Sequence, residues 1–164
     1  MKYYQEFEQK YEKALYENDK EILSYFAKFG KDKHHAIYNA CQYEANIECG
    51  FTAPFKQING WIQNEKIETE VLPIFEGRTY ANIKVGQLPN KRWVAESCVS
   101  LELSGYSSPV SVFSQSYLTR EEAILKQLGH IREYIQHYAK NPTPYLKSVN
   151  AFWHKLYAEQ IGLF

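Results

Sequence analysis

Histidine and carboxylate side chains could bind a metal, and their spacing in this chain limits that possibility. His130 and His137 lie about two helical turns apart, with Glu133 between them. One histidine and one carboxylate could hold a metal there, but no HExxH motif and no second pair of ligands accompanies them. The sequence therefore predicts no metal site and no other cofactor.

Cysteine thiols are the other reactive groups, and Cys41, Cys49 and Cys98 show no paired CxxC spacing. Cys98 and a distant histidine could act as nucleophile and base. A single cysteine in an apolar strand or helix is more often a small buried residue. No residue can be assigned to orient the base, so no catalytic residue is predicted. A small Cys- or His-dependent enzyme stays an alternative.

A basic segment, GKDKHH at residues 30–35, precedes a predicted helix. Lys31, Lys33, His34 and His35 could bind a phosphate or carboxylate, because helix N-termini attract anions. The alternative is a solvated helix start whose charges bind nothing. These four residues are one predicted binding site.

A second predicted binding site is a turn between Gly105 and Pro109. Glycine allows a positive φ and proline fixes its own φ, so both favour a turn here. The turn would expose Tyr106, Ser107 and Ser108 at its tip. One aromatic ring and two hydroxyls on a rigid hairpin could recognise a partner. The alternative is a simple connector.

Motifs of the commonest nucleotide and acyl-transfer chemistries are missing from the sequence. It contains no GxxxxGK[ST] or GxGxxG phosphate loop and no GxSxG nucleophile elbow. These absences, with the lack of a CxxC pair, argue against the common nucleotide-dependent and zinc-ribbon classes.

Helical periodicity dominates residues 1–66. Apolar residues recur at helical spacing in residues 2–17, 20–29 and 31–49, and Gly50 ends the last of these segments. Pro54 suits the first turn of a fourth, short helix over PFKQINGWIQ, residues 54–63. The sequence therefore predicts a helical N-terminal part.

The period changes to two at about residue 68, which predicts strands. The predicted strands are TEVLPIF (69–75), RTYANIKV (78–85), RWVAESCVSLEL (92–103) and PVSVFS (109–114). Pro73 places the first of them at a sheet edge. The core face of the third is predicted to hold Trp93, Ala95, Ser97, Val99, Leu101 and Leu103.

Two helices are predicted after the strands. Thr119 and Glu122 form a capping box at the start of the first. Its buried stripe is predicted to be Ile124, Leu128, Ile131 and Ile135. The second begins near Thr143, with Val149, Phe152, Trp153, Leu156 and Ile161 facing inward.

These elements predict an α+β fold in a single domain, 1–164. Helices fill the N-terminal part, 1–66. The remaining part, 67–164, holds a three- to four-stranded antiparallel sheet (about 68–115) and two C-terminal helices packed on one sheet face.

Charge and composition restrict the function. Basic and acidic residues number 19 each, which argues against a DNA mimic or a strongly basic nucleic-acid coat protein. Residues 83–164 carry 9 basic and 6 acidic residues, so a nucleic-acid-binding module remains an alternative. The 14 tyrosines could supply an interaction surface, because tyrosine is enriched in interfaces; the alternative is that they rim the core with their hydroxyls in water.

The chain starts MKYYQEFEQKYEK, without the apolar core of a signal peptide, and has no apolar run of about 18 residues. With an odd number of cysteines, this predicts a cytoplasmic protein with no membrane association. The sequence as a whole predicts a non-enzymatic binding protein acting on a protein or nucleoprotein partner. It would be a small accessory or regulatory protein, of the inhibitor-like kind that mobile elements encode.

Overall fold

Residues 1–66 form one compact unit that begins with three helices. The computed structural model describes the backbone of residues 2–160 and the side chains of residues 4–158. The helices are α1 (Lys2–Glu17), α2 (Lys20–Ala27) and α3 (Lys33–Glu48). The carboxylates of Asp19 and Asp32 accept backbone hydrogen bonds at the starts of α2 and α3. The three helices enclose Phe26, Ala36, Ile37 and Ala40.

A β-hairpin replaces the fourth helix predicted over residues 54–63, so that prediction is wrong. Strands β1 (Gln57–Ile58) and β2 (Trp61–Ile62) pair antiparallel. Between them Asn59 and Gly60 have φ values of 50° and 82°. Asn-Gly tolerates two successive positive φ values, which the tightest hairpin turns require. This dipeptide in the sequence signals the hairpin and outweighs the helical spacing around it.

Side-chain amides of α3 hold the hairpin in place. Asn39 Nδ2 donates to the carbonyl oxygens of Phe29 and Gly60, each at 2.8 Å. Asn39 Oδ1 accepts from the amide of Ile62, also at 2.8 Å. About two turns further along α3, Asn46 Nδ2 donates to the carbonyl of Gln63 at 3.2 Å. Strands of two residues form few bonds with each other, so α3 supplies much of the hairpin's hydrogen bonding.

Residues 67–164 form a second compact unit around a five-stranded antiparallel sheet. Its strands are β3 (Glu70–Phe75), β4 (Tyr80–Gln87), β5 (Trp93–Ser100), β6 (Gly105–Ser107) and β7 (Ser116–Tyr117). The order is β3-β4-β5, and β6 and β7 both pair with β5. This confirms the predicted α+β class and antiparallel sheet, but the sheet has five strands where three or four were predicted, because two short strands, β6 and β7, pair with different parts of β5. Strand β3 lies at the edge, as Pro73 predicts.

The strand predicted over residues 109–114 is wrong, because the chain returns to the sheet earlier. The amide of Leu101 donates to the carbonyl of Ser104 at 2.7 Å, which closes a tight turn after β5. Strand β6 then starts at Gly105 and ends before Pro109, which has no amide hydrogen to continue a ladder. The predicted turn is therefore largely a short strand.

Helices α4 (Arg120–Tyr138) and α5 (Thr143–Gln160) complete this unit. They pack on one sheet face and share its core, which includes Ile83, Val85, Ala95, Val99, Ile124, Leu128, Ile131, Ile135, Val149 and Leu156. The predicted stripe on α4 is thus confirmed. Two predicted core residues are exposed instead, Leu103 at 79% and Trp153 at 41%. Ile161 lies outside the described residues.

Thr119→Ala should lower the free energy of unfolding by about 1 kcal/mol through loss of a helix cap. The Thr119 hydroxyl accepts from the amide of Glu122 at 3.1 Å, and the Glu122 carboxylate accepts from the amide of Thr119 at 3.3 Å. Urea unfolding would measure the change. Thr119→Ser keeps the accepting hydroxyl and should stay close to the unsubstituted protein. Equal losses in both variants would contradict a capping role.

Candidate binding groove between the two C-terminal helices

Helices α4 and α5 leave an open groove of about 600 Å³ between them. This lies within the range of about 300–1,000 Å³ that is usual for binding pockets. It is lined by Leu125, Leu128, Gly129, Arg132, Val149, Asn150, Trp153 and His154. All eight belong to the two helices, so regular secondary structure positions the whole site.

Helical spacing explains why these residues share one groove. On α4, Leu125, Gly129 and Arg132 follow each other at intervals of four and three residues, which align on one side of a helix. On α5, Val149 and Trp153 stand four residues apart in the same way. Leu128 and Val149 are buried, so they form the floor, whereas Leu125 is 39% exposed at the edge.

An exposed aromatic pair stands at the α5 side of the groove. Trp153 is 41% exposed and stacks on Tyr157, with ring centroids 5.5 Å apart and planes 8° from parallel. The ring of His154 meets Trp153 edge-on at 5.0 Å. Stacking restricts the orientation of Trp153. Tryptophan and tyrosine are the residues most enriched where binding energy concentrates.

Gly129 leaves space in the groove that none of the described residues fills. A Cβ atom at this position would meet nothing within 4 Å. A glycine in a helix interior costs about 0.5–1 kcal/mol relative to alanine. The surroundings do not require glycine here, so the residue lowers helix stability without relieving any clash.

Arg132 gives the groove a positive charge. Among the described residues that line it, none is an aspartate or glutamate. Arg132 is exposed and forms no ion pair within residues 4–158. A more open depression that shares Leu125 is lined by Arg92 and Lys126 and also by Glu122, whose carboxylate caps α4. The groove is therefore an apolar surface with the Arg132 cation at its edge.

The predicted anion-binding residues lie in the N-terminal unit, where three of the four have internal partners. Lys33 Nζ pairs with the carboxylates of Glu12 at 2.6 Å and Glu8 at 3.3 Å. The hydrogen bond to Glu12 raises the pKa of Lys33. Lys31 is exposed. The Asp32 carboxylate occupies the N-terminus of α3, where a bound anion would have to sit.

The two histidines of that segment contact aromatic residues. Nε2 of His35 lies 2.7 Å from the carbonyl oxygen of Gly60, and its ring lies 4.2 Å from that of Trp61. The Tyr4 hydroxyl lies 2.8 Å from Nδ1 of His34. His35 thus helps α3 to hold the hairpin. Binding of an anion by these residues remains a prediction.

The position predicted for Tyr106 at an exposed tip is wrong. Tyr106 is half-buried in β6, where its hydroxyl donates to Ser97 Oγ at 2.7 Å and Ser97 donates in turn to Gln127 Oε1 at 2.9 Å. Burial raises the pKa of Tyr106. Ser107 is exposed, and the amide of Ser108 donates to the carbonyl of Ser97 at 3.3 Å. Tyr106 therefore has a structural role, and recognition by the two serines remains a prediction.

The thiols and histidines form no reactive cluster. Cys41, Cys49 and Cys98 are buried, and burial raises the pKa of Cys41 and of Cys49 to about 11. Such thiols are protonated at neutral pH and are poor nucleophiles. His137 Nδ1 lies 2.8 Å from the backbone oxygen of Glu133. Within the described part of the chain no three His, Cys, Asp or Glu residues could together hold a metal ion.

Sequence reasoning missed the groove, although two signals for it were present. One is a glycine in the middle of a strongly amphipathic helix, and the other is the Trp153–Tyr157 pair at a spacing of four.

Comparison of the chain with protein-family models, curated proteins and solved structures finds no match. No helix between residues 2 and 160 is both long and apolar enough to span a membrane.

Proposed function

We propose that the protein is a non-enzymatic binding protein whose α4–α5 groove holds a segment of a protein partner. The observation that carries this proposal is the open apolar groove with the exposed, stacked Trp153 at its side. Apolar surface left in water lowers stability unless another surface covers it. Binding would remove this surface from water.

The alternatives have weaker support. Nucleic acid would be attracted by Arg132 and Lys126, but an apolar floor offers nothing to phosphates, which dominate such binding. An enzyme of the Cys-dependent kind would need an accessible thiolate, but all three thiols are buried, and burial raises the pKa of Cys41 and of Cys49 to about 11. Buried thiols also suit a reducing compartment, so a cytoplasmic accessory or regulatory protein, inhibitor-like in action, is part of the proposal.

Site-specific photocrosslinking in the cells that encode the protein would test this function. A benzophenone amino acid at position 125 lies at the groove edge, whereas the same group at the exposed position 103 lies outside the groove lining. We expect one discrete protein adduct from position 125, none from position 103, and loss of the adduct when Trp153→Ala is added.

Three results would contradict the proposal. Equal adducts from positions 125 and 103 would mean that the groove does not select a partner. If neither position gave an adduct, the groove would have no macromolecular ligand. A nucleic-acid adduct from position 125 would favour the nucleic-acid alternative.

A further inference from the structure

We infer that the partner segment is an acidic amphipathic helix that crosses α4 at Gly129. This inference rests on the proposed function and names the chemistry of the partner at the same groove. Three features of the groove lead to it: the empty space at Gly129, the unmatched positive charge, and the backbone of the groove walls.

The space at Gly129 indicates a close approach. A Cβ there would touch nothing among residues 4–158, so packing within this part of the chain does not explain a residue that weakens the helix. Absence of a side chain lets another backbone or a large side chain come near α4. The partner therefore lies over Gly129, between the exposed edge residues Leu125 and Trp153.

The charge of the groove selects an acidic partner. Arg132 faces it, and no carboxylate is among the described residues of the lining. An acidic residue on the partner would pair with Arg132 through charge-assisted hydrogen bonds. A basic segment would meet like charges, which suppresses binding. The partner thus combines apolar anchors with at least one neighbouring Asp or Glu.

The walls of the groove favour a helical partner over an extended one. Both walls are α-helices, whose backbone groups are bonded internally over the lining residues. An extended peptide would find no open sheet edge here to extend. A helix instead satisfies its own backbone and presents anchors on one face, at intervals of three and four residues.

A displayed peptide library would test the inference directly. The probe is a set of 16-residue peptides on an alanine-rich helical scaffold, about 24 Å long. Its surface positions are randomised among Leu, Phe, Ala, Glu and Lys in equal proportions. We expect the selected peptides to carry Leu or Phe at helical spacing and more Glu than Lys.

Substitutions in the groove would then be measured with a synthetic selected peptide by fluorescence anisotropy. Arg132→Glu should weaken binding about tenfold or more. Lys147→Glu makes the same charge change at an exposed site of α5 outside the groove lining, and should leave binding nearly unchanged.

Gly129→Ala gives a result that damage to the fold cannot mimic. The free protein should melt about 1–3 °C higher, because alanine favours the helix. The same variant should bind the peptide about tenfold more weakly, because a methyl group now occupies the contact. Higher stability with weaker binding identifies Gly129 as a contact residue.

Several outcomes would overturn the inference. These are a library that yields no binder, selected peptides rich in Lys, and unchanged binding by Gly129→Ala.

Sedimentation of the protein alone should show a monomer. A dimer that Arg132→Glu dissociates would instead mean that a second copy of the chain occupies the groove. Because crosslinking from position 125 uses no peptide, the proposed function would still stand if only the library result failed.

Discussion

Replacing Asn39 with alanine is expected to lower the free energy of unfolding of the N-terminal unit by about 3 kcal/mol. The side chain is 2% exposed and makes three hydrogen bonds of 2.8 Å with backbone groups. Alanine would leave the amide of Ile62 and the carbonyl of Phe29 without these partners. The cost is that of buried polar groups left unmatched, about 1–3 kcal/mol each.

Urea unfolding followed through Trp61 would measure this loss. Trp61 lies in β2 next to His35 and Tyr38, so a background of Trp93→Phe and Trp153→Phe isolates its signal. Asn39→Leu restores volume without hydrogen bonds and should be about as destabilising as alanine. Gln57→Ala, at an exposed hairpin position, should change stability by less than about 0.5 kcal/mol. Full rescue by leucine would show that packing, not hydrogen bonding, makes Asn39 important.

Ile131→Ala is expected to destabilise the C-terminal unit by about 2–5 kcal/mol, because it removes buried methyl groups and leaves a cavity. Ile131 is fully buried in the centre of α4 and belongs to the core shared by sheet and helices. Loss of apolar burial and loss of packing contacts both contribute, so the effect exceeds that of any surface change on the same helix.

Unfolding of this unit would be followed through Trp93, with the other two tryptophans replaced by phenylalanine. Ile131→Val should cost about 0.5–1.5 kcal/mol. Leu125→Ala, at a 39% exposed position of the same helix, should cost less than Ile131→Ala. A similar loss for Leu125→Ala and Ile131→Ala would mean that the buried face of α4 is assigned incorrectly.

The sequence predicts the fold well where two local signals agree. The capping box at Thr119 and the stripe from Ile124 to Ile135 indicate the same helix, and α4 has that start and that buried face. Alternation in β5 likewise identifies Ala95, Ser97 and Val99 as inward-facing. In each of these elements the apolar residues repeat at a regular interval, over at least two turns of the helix or four alternations along the strand. Random spacing rarely produces so long a repeat.

Prediction fails where a few residues decide the structure. Asn59-Gly60 turns a segment with helical spacing into a hairpin, and hydrogen bonds from Asn39, twenty residues earlier, hold it. The turn at Leu101–Ser104 moves Tyr106 from an expected tip into a strand. Such contacts join residues that the sequence does not show to be neighbours.

The candidate groove could be predicted only in part. Trp153 is a large apolar residue, and periodicity places it inward with Val149, yet it lies at the edge of the buried side of α5. Whether such a residue covers the core or borders an opening depends on how α4 and α5 pack against each other, and residue spacing along one helix does not show this. Gly129 alone distinguishes the open side of α4 in the sequence.

The rates at which the three buried thiols react with an alkylating reagent would measure local opening of the structure. Cys41 and Cys49 lie in the N-terminal unit and Cys98 in the C-terminal one, and all three are buried. An alkylating reagent reaches a thiol only when the surrounding structure opens, so labelling rates follow local opening free energies. Mass spectrometry of the labelled peptides would give a separate opening rate for each unit. The measurement uses the unsubstituted protein and needs no fluorescent group. Asn39→Ala should speed labelling at Cys41, and Ile131→Ala at Cys98.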